Sequence, residues 1–148
     1  MRTSCTDADL VRRVYRTVAA GDRAAAVALV DEWFAEDAVL ALPESLPYGG
    51  VLRGRAVLRR VFGAAASPGE VTADTLGPRD LTVTNVTASD GRVVAELAFN
   101  YHSPALPAPI PMTAVEVWRR SGGLVAEIRA YYGDTAACLG AGAPALTH

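Results

Sequence analysis

The sequence predicts a single α+β domain, and three observations predict it. The 148 residues fit one domain and leave no room for a second. Apolar residues recur at helical spacing through the first half, then the period changes to strand-like alternation around two glycine-containing turns. The chain is 51% hydrophobic and 20% charged, so it can bury a core and is not disordered. Helices followed by antiparallel strands define the α+β class.

From Asp7 onward, Leu10, Val11, Val14, Tyr15 and Val18 fall on one helical face, with Thr6 placed as N-cap and Gly21 just past the end. Asp22 can cap a second helix, whose apolar positions Ala26, Val27, Val30, Trp33 and Phe34 lead to a short strand at 38–42 that Pro43 stops. Segment 43–50 holds two Pro and two Gly and reads as a loop. Residues 55–62 give a third helix, ended by Gly63. Segments 81–88 and 93–102 form a hairpin about Ser89-Asp90-Gly91, and 112–119 and 124–132 form another about Ser121-Gly122-Gly123. Pro104, Pro107, Pro109 and Pro111 keep the intervening loop out of the sheet. Asp134 reads as the cap of a helical turn beginning at Thr135. The core is expected over 6–136, with 137–148 a mobile tail.

Composition excludes several classes of function. The net charge of −2, with both signs interspersed, gives no electrostatic footprint for nucleic acid or an anionic membrane. No apolar run approaches the ~20 residues that span a bilayer. Met1-Arg2-Thr3-Ser4-Cys5 lacks the apolar stretch of a signal peptide, so a cytoplasmic location is expected. Cys5 and Cys138 lie near opposite ends without metal-ligand spacing and read as free thiols. The sequence has no Lys, which removes Schiff-base chemistry and a phosphate-binding P-loop. It also has no G-x-S-x-G elbow and no G-x-G-x-x-G loop, and His148 completes no metal site with His102. Neither a cofactor nor a metal is implied.

Four phrases, in order, span nearly the whole chain. They are Val14-Tyr15-Arg16 through Ala20-Gly21-Asp22, Phe34-Ala35-Glu36-Asp37-Ala38-Val39, and Tyr48-Gly49-Gly50 through Arg53-Gly54-Arg55. The fourth is Val117-Trp118-Arg119-Arg120 followed after the turn by Arg129-Ala130-Tyr131-Tyr132-Gly133. Together the chain resembles the nuclear transport factor two-like superfamily, home of ketosteroid isomerases and SnoaL-like cyclases. The resemblance implies a cone-shaped barrel, a curved and mostly antiparallel sheet wrapped around the N-terminal helices and enclosing one pocket. It also implies a homodimer. One such fold hosts isomerases, cyclases, epoxide hydrolases, dehydratases and plain binders, so the site is argued from residues.

Strand alternation sets Ile128, Ala130 and Tyr132 on one face, expected to line the pocket, and Glu127, Arg129 and Tyr131 on the other. Met112, Ala114, Glu116 and Trp118 likewise share a face. The resemblance puts Glu116 where ketosteroid isomerases carry a pocket acid. Burial there would raise its pKa, and a protonated carboxyl can donate to an oxyanion or protonate a leaving oxygen. The alternative is a strand glutamate facing solvent. His102, titrating near neutrality, is a candidate acid or base, although alternation points it outward unless a bulge intervenes. Tyr48 is expected over the cavity mouth as a further donor. Tyr15, Trp33, Phe62, Asn100, Tyr101 and Trp118 complete the candidate contacts to substrate, the aromatic ones reading equally as core.

The departures from the family bear on the reaction. Leu42 precedes Pro43 where the resemblance places the isomerase base, and Ala130 aligns with the catalytic Asp of SnoaL-like aldol cyclases. The Asp, Arg and Asp set of this fold's epoxide hydrolases has no match. The expected function is therefore a cofactor-independent cyclase of polyketide-like natural products, closing a ring by acid/base catalysis, through epoxide opening or conjugate addition. The alternatives are an isomerase, dehydratase or epoxide hydrolase on the same fold, or a non-catalytic small-molecule binder or accessory protein.

Overall fold

Two N-caps start the helical layer of this computed structural model, which describes residues 6–140. Thr6 Oγ1 accepts from the Asp9 amide at the head of α1 (Asp7–Ala19), and Asp22 Oδ1 from the Ala25 amide at the head of α2 (Arg23–Trp33). Each satisfies an amide that a first helical turn leaves without an intrahelical acceptor. Leu10, Val11, Val14 and Tyr15 form the buried stripe of α1, as their spacing predicts, and α1 packs on the sheet through them.

Several boundaries differ from the sequence reading, and Pro111, expected in a loop, is paired in the sheet opposite Asn100. Phe34 opens β1 (Phe34–Leu42) instead of closing α2. Its amide still bonds the Val30 carbonyl, but at φ −100° and ψ 141° its backbone is extended, and its ring is wholly buried between helix and sheet. A short strand β2 (Gly50–Arg53) follows the 43–49 loop and pairs antiparallel with β1, Leu42 facing Gly50 and Val39 facing Arg53. Four residues are too few to show alternation, which is why the pattern was invisible. Helix α3 (Arg55–Ala65) runs through Gly63. A Cβ there would stand 3.3 Å from the Val27 side chain, so this glycine permits close packing of α3 on α2 and is no helix stop.

The remaining strands are β3 (Gly77–Ser89), β4 (Arg92–His102), β5 (Ile110–Ser121) and β6 (Leu124–Tyr132). The sheet order is β2-β1-β6-β5-β4-β3, antiparallel throughout except between β1 and β6. The sheet curves over the helices but does not close into a barrel, leaving β2 and β3 as edges. Register shifts at Arg79/Thr82 and Val83/Asn85 mark irregularities of the kind that bend a strand. Between β3 and β4, Asp90 and Gly91 both take left-handed backbone, at φ 52° and 76°, the conformation whose twist matches a two-residue hairpin.

Alternation along the strands then makes two unlike faces. Val93, Ala95, Leu97, Phe99 and Tyr101 of β4 turn toward the helices and are buried, as do Met112, Ala114 and Trp118 of β5 and Ile128 and Ala130 of β6. Past β6, Asp134 Oδ1 accepts from the Ala137 amide and caps α4 (Thr135–Cys138). Cys138 is buried, so the packed chain extends into the segment expected to be tail. Cys5, His148 and residues 141–148 lie outside the described residues. Among the described residues no helix is long and apolar enough to cross a membrane.

Candidate functional site

The inner face carries two polar clusters along one line. Position 116 on β5 sits between Ala114 and Trp118, both buried, so its carboxyl emerges among apolar groups. Tyr15 reaches it from α1. A tyrosine on the buried stripe of a helix must find a partner for its hydroxyl, and this one donates to Glu116 Oε1 while accepting from Trp118 Nε1–H at 3.0 Å. The Tyr15 and Trp118 rings meet edge to face at 5.7 Å, and Phe34 packs on Trp118 at 5.9 Å, fixing the indole that orients the chain of bonds.

Burial pushes the Glu116 carboxyl above the usual carboxylate range, and the Tyr15 hydrogen bond offsets this only in part. Burial also pushes the Tyr15 phenol up, reinforced by the carboxyl beside it. Glu116 nevertheless remains half-buried rather than sealed. A group that is desolvated yet keeps some accessible surface is suited to meet a ligand. With Oε1 accepting from Tyr15, the second carboxyl oxygen remains to carry the proton.

The second cluster lies nearer the end of the sheet. Tyr132 is on β6, where Ala114 faces it and Ala130 faces Glu116, so it stands one diagonal step from the acid. Its hydroxyl is 2.7 Å from that of Tyr48, which the 43–49 loop holds over the end of the sheet. The loop turns tightly: the Gly49 amide bonds the Leu46 carbonyl at 2.8 Å, and a Cβ on Gly49 would fall 1.9 Å from the Pro43 carbonyl oxygen. Tyr101 completes the group, its ring 6.4 Å from that of Tyr132, and Phe99 packs on Tyr132 at 5.4 Å. Burial raises the phenols of Tyr48, Tyr101 and Tyr132 and the nearby Cys138 thiol.

Of the residues singled out by sequence, the structure brings together Tyr15, Glu116 and Trp118, and, next to them, Tyr48, Tyr101 and Tyr132, with Ile128 and Ala130 in the wall between. Phe62 of α3 is half-buried and packs edge to face on Phe34 at 5.4 Å. Three others stand apart. His102 follows the buried Tyr101 and therefore lies on the opposite face of β4, opposite Gly77 in the register, because the irregularity near that end belongs to β3 and the alternation of β4 runs unbroken. Asn100 is exposed on that same outer face and donates to Asp80 Oδ2 at 3.0 Å. Trp33, at the end of α2, stacks under the Arg120 guanidinium at 5.4 Å and belongs to the core. Sequence reasoning left unstated that Tyr15 and Glu116 are partners, although both occupy inward positions of amphipathic elements. It also left out Phe99 as a wall residue, despite its place in the apolar alternation of β4.

Two open grooves flank this end of the sheet. One of about 390 Å³ runs between the ends of β1 and β6 and is lined in part by Leu42, Glu44, Ala130 and Tyr132. The other, of about 720 Å³, lies beside α4 and includes Asp80, Asn100, Thr113 and Asp134. Tyr132 and Ala130 border the smaller groove, and Glu116 lines neither. Among the described residues no group of three or more His, Cys, Asp and Glu side chains is arranged to hold a metal.

A SnoaL-like domain family model matches residues 11–128. The chain belongs to the SnoaL-like domain family. No curated protein matches it in sequence. Solved structures of the same fold include an NTF2-like protein from Burkholderia xenovorans, 19% identical over 88% of this SnoaL-like chain and 90% of the other, with a TM-score of 0.63. An NTF2-like protein of unknown function from Cytophaga hutchinsonii is 14% identical over 89% and 94%, with a TM-score of 0.61. SalBIII, described as an epoxide hydrolase/cyclase-like enzyme in pyran ring formation in the polyether salinomycin, is 24% identical over 85% and 89%, with a TM-score of 0.58. These likenesses establish the nuclear transport factor two-like fold.

Proposed function

We propose that this SnoaL-like chain is a cofactor-independent cyclase that closes an oxygen-containing ring in an apolar, polyketide-like intermediate, with Glu116 as the proton donor. The observation that carries the reading is the Glu116 carboxyl, set on an apolar sheet face, raised above the ordinary carboxylate range by burial and aimed by the Tyr15 hydroxyl. The pyran-forming role of SalBIII on the same fold supports the reaction class.

In the epoxide case, a substrate hydroxyl attacks an epoxide carbon as that C–O bond breaks, and the departing oxygen takes the Glu116 proton. The proton lost by the attacking hydroxyl passes to water at the mouth, from which Glu116 is reloaded. Nothing is oxidised or reduced, and product and substrate have equal mass. Conjugate addition of a hydroxyl to an enone uses the same donor at the enolate oxygen. The apolar wall holds the chain folded, which removes entropy from the barrier, and the acid supplies the charge stabilisation. A second carboxylate does not accompany Glu116 on the inner face among the described residues, in keeping with Leu42 and Ala130 at the two positions where relatives carry one. That same sparseness favours a second reading, a binder that holds such a molecule without converting it.

The test is incubation with a long-chain hydroxy-epoxide and the matching hydroxy-enone, followed by chromatography and mass spectrometry. The expected result is a cyclic product of unchanged mass from the native chain and none above background from Glu116→Gln. Binding of both probes with no product supports the binder, and equal turnover by the Gln variant removes Glu116 from the reaction.

A further inference from the structure

Three phenols meet at the mouth, and their hydrogens do not balance within the protein. Tyr48 and Tyr132 share one hydrogen bond at 2.7 Å, in which one hydroxyl donates and the other keeps its own hydrogen free. Tyr101 is wholly buried, and no group meets its hydroxyl in good hydrogen-bond geometry, although the Tyr48 hydroxyl and the Cys138 thiol both lie close enough to act on it. A buried hydroxyl left unpaired is costly, and such an atom in an otherwise well-bonded site calls for an explanation. The cluster thus offers two unspent O–H donors side by side. Among the described residues no cationic side chain joins it, and all three phenols stay neutral because burial raises them. Two neutral donors match the two lone pairs of one uncharged carbonyl oxygen better than a carboxylate, which would bring a charge with nothing to balance it.

We infer that Tyr101, together with the Tyr48–Tyr132 pair, forms a second polar subsite that takes a ketone-type carbonyl of the ligand while another of its oxygens meets Glu116. The inference rests on the proposed function in taking the inner face as the ligand site, and it adds the class of molecule: an apolar skeleton oxygenated at two points, one of them a carbonyl. Tyr101 acts as a donor to this oxygen, and the position of Tyr132, one diagonal step from Glu116, lets one small molecule span both groups.

The probes are 2-acetylnaphthalene and 2-ethylnaphthalene, alike in shape and differing in the carbonyl. Binding of each is measured by fluorescence titration, and the carbonyl stretch of the bound ketone by infrared difference spectroscopy. The ketone is expected to bind roughly tenfold more tightly, with its stretch moved to lower wavenumber by the two donors. Tyr101→Phe should remove most of the preference and most of the shift while leaving 2-ethylnaphthalene binding unchanged. Glu116→Gln should keep both. Equal affinity of the two probes, no binding of the ketone, or a preference that survives Tyr101→Phe overturns the subsite and shows that water alone serves this hydroxyl. A preference lost in Glu116→Gln but kept in Tyr101→Phe also overturns it, by assigning the carbonyl to the acid. Failure of the ring-closing reading is seen elsewhere, as absence of Glu116-dependent product, and leaves the ketone preference standing.

Discussion

The two polar clusters of the inner face differ in how completely the chain satisfies them. At the deep end, Trp118, Tyr15 and Glu116 hand a hydrogen bond from one to the next, and the phenol is used as both donor and acceptor. At the mouth, Tyr48 and Tyr132 bond each other while the Tyr101 hydroxyl is buried without a partner. The first arrangement fixes the position of one acid and, through burial, raises its pKa. The second leaves donors over. In a SnoaL-like scaffold whose wall is otherwise apolar, the deep cluster reads as chemistry and the mouth cluster as recognition.

The largest expected effect breaks the deep cluster at its acid. Glu116→Gln keeps the shape and the bond from Tyr15 but cannot release a proton, and the rate of ring closure should fall by about 10²-fold or more, measured with the hydroxy-epoxide. Stability should respond in the opposite sense. The folded-state pKa of Glu116 lies above that of the unfolded chain, so the unfolded chain releases its proton first as pH rises. This group's contribution to stability is therefore full below the ordinary glutamate pKa of about 4.3 and declines as pH rises through the raised folded value. Urea denaturation at a series of pH values should show that decline in the native chain and its loss in Glu116→Gln.

Next in size, Gly49→Ala attacks the mouth through its backbone. The new methyl would fall on the Pro43 carbonyl, so the loop must shift and carry Tyr48 off Tyr132, at a cost of about 1–3 kcal/mol in chemical denaturation. The deep cluster should keep its titration. Tyr15→Phe sharpens the comparison from the other side. It strips a partner from both Trp118 and Glu116, should destabilise by about 1–2 kcal/mol, and should move the Glu116 titration to still higher pH, because the Tyr15 bond holds it down. The smallest effect has the opposite sign. Tyr101→Phe removes a hydroxyl that bonds nothing in the chain, so the thermal midpoint should hold or rise, by the equivalent of up to ~1 kcal/mol. A clear drop in midpoint would mean that Tyr101 is structurally bonded and the two clusters are alike.

How much of this was legible in the sequence follows from which interactions are local. The caps Thr6, Asp22 and Asp134, the buried stripe of α1 and the inward set of β4 each depend on residues a few positions apart, and each stands as its pattern indicates. Alternation along β5 and β6 also carried Glu116 and Tyr132 to the inner face. What local pattern cannot supply is pairing across the fold. Tyr15 and Glu116 are 101 residues apart, and Tyr48 and Tyr132 are 84 apart, so neither bond is written in any window of sequence. The same limit explains Gly63, which looked like a helix stop because its reason for being glycine lies on α2. It explains β2 as well, whose strand character comes from its partner β1 more than from its four residues. His102 drew notice for its chemistry, while the alternation of its own strand had already assigned it to the outer face.

The central claim is that Glu116 holds its proton at neutral pH, and isotope-edited infrared spectroscopy of carboxyl-labelled protein reads that state directly. The expected result is a protonated carboxyl C=O stretch that persists at pH 7, disappears in Glu116→Gln and moves when a ligand binds. A carboxylate at pH 7, titrating with the surface glutamates, would contradict it.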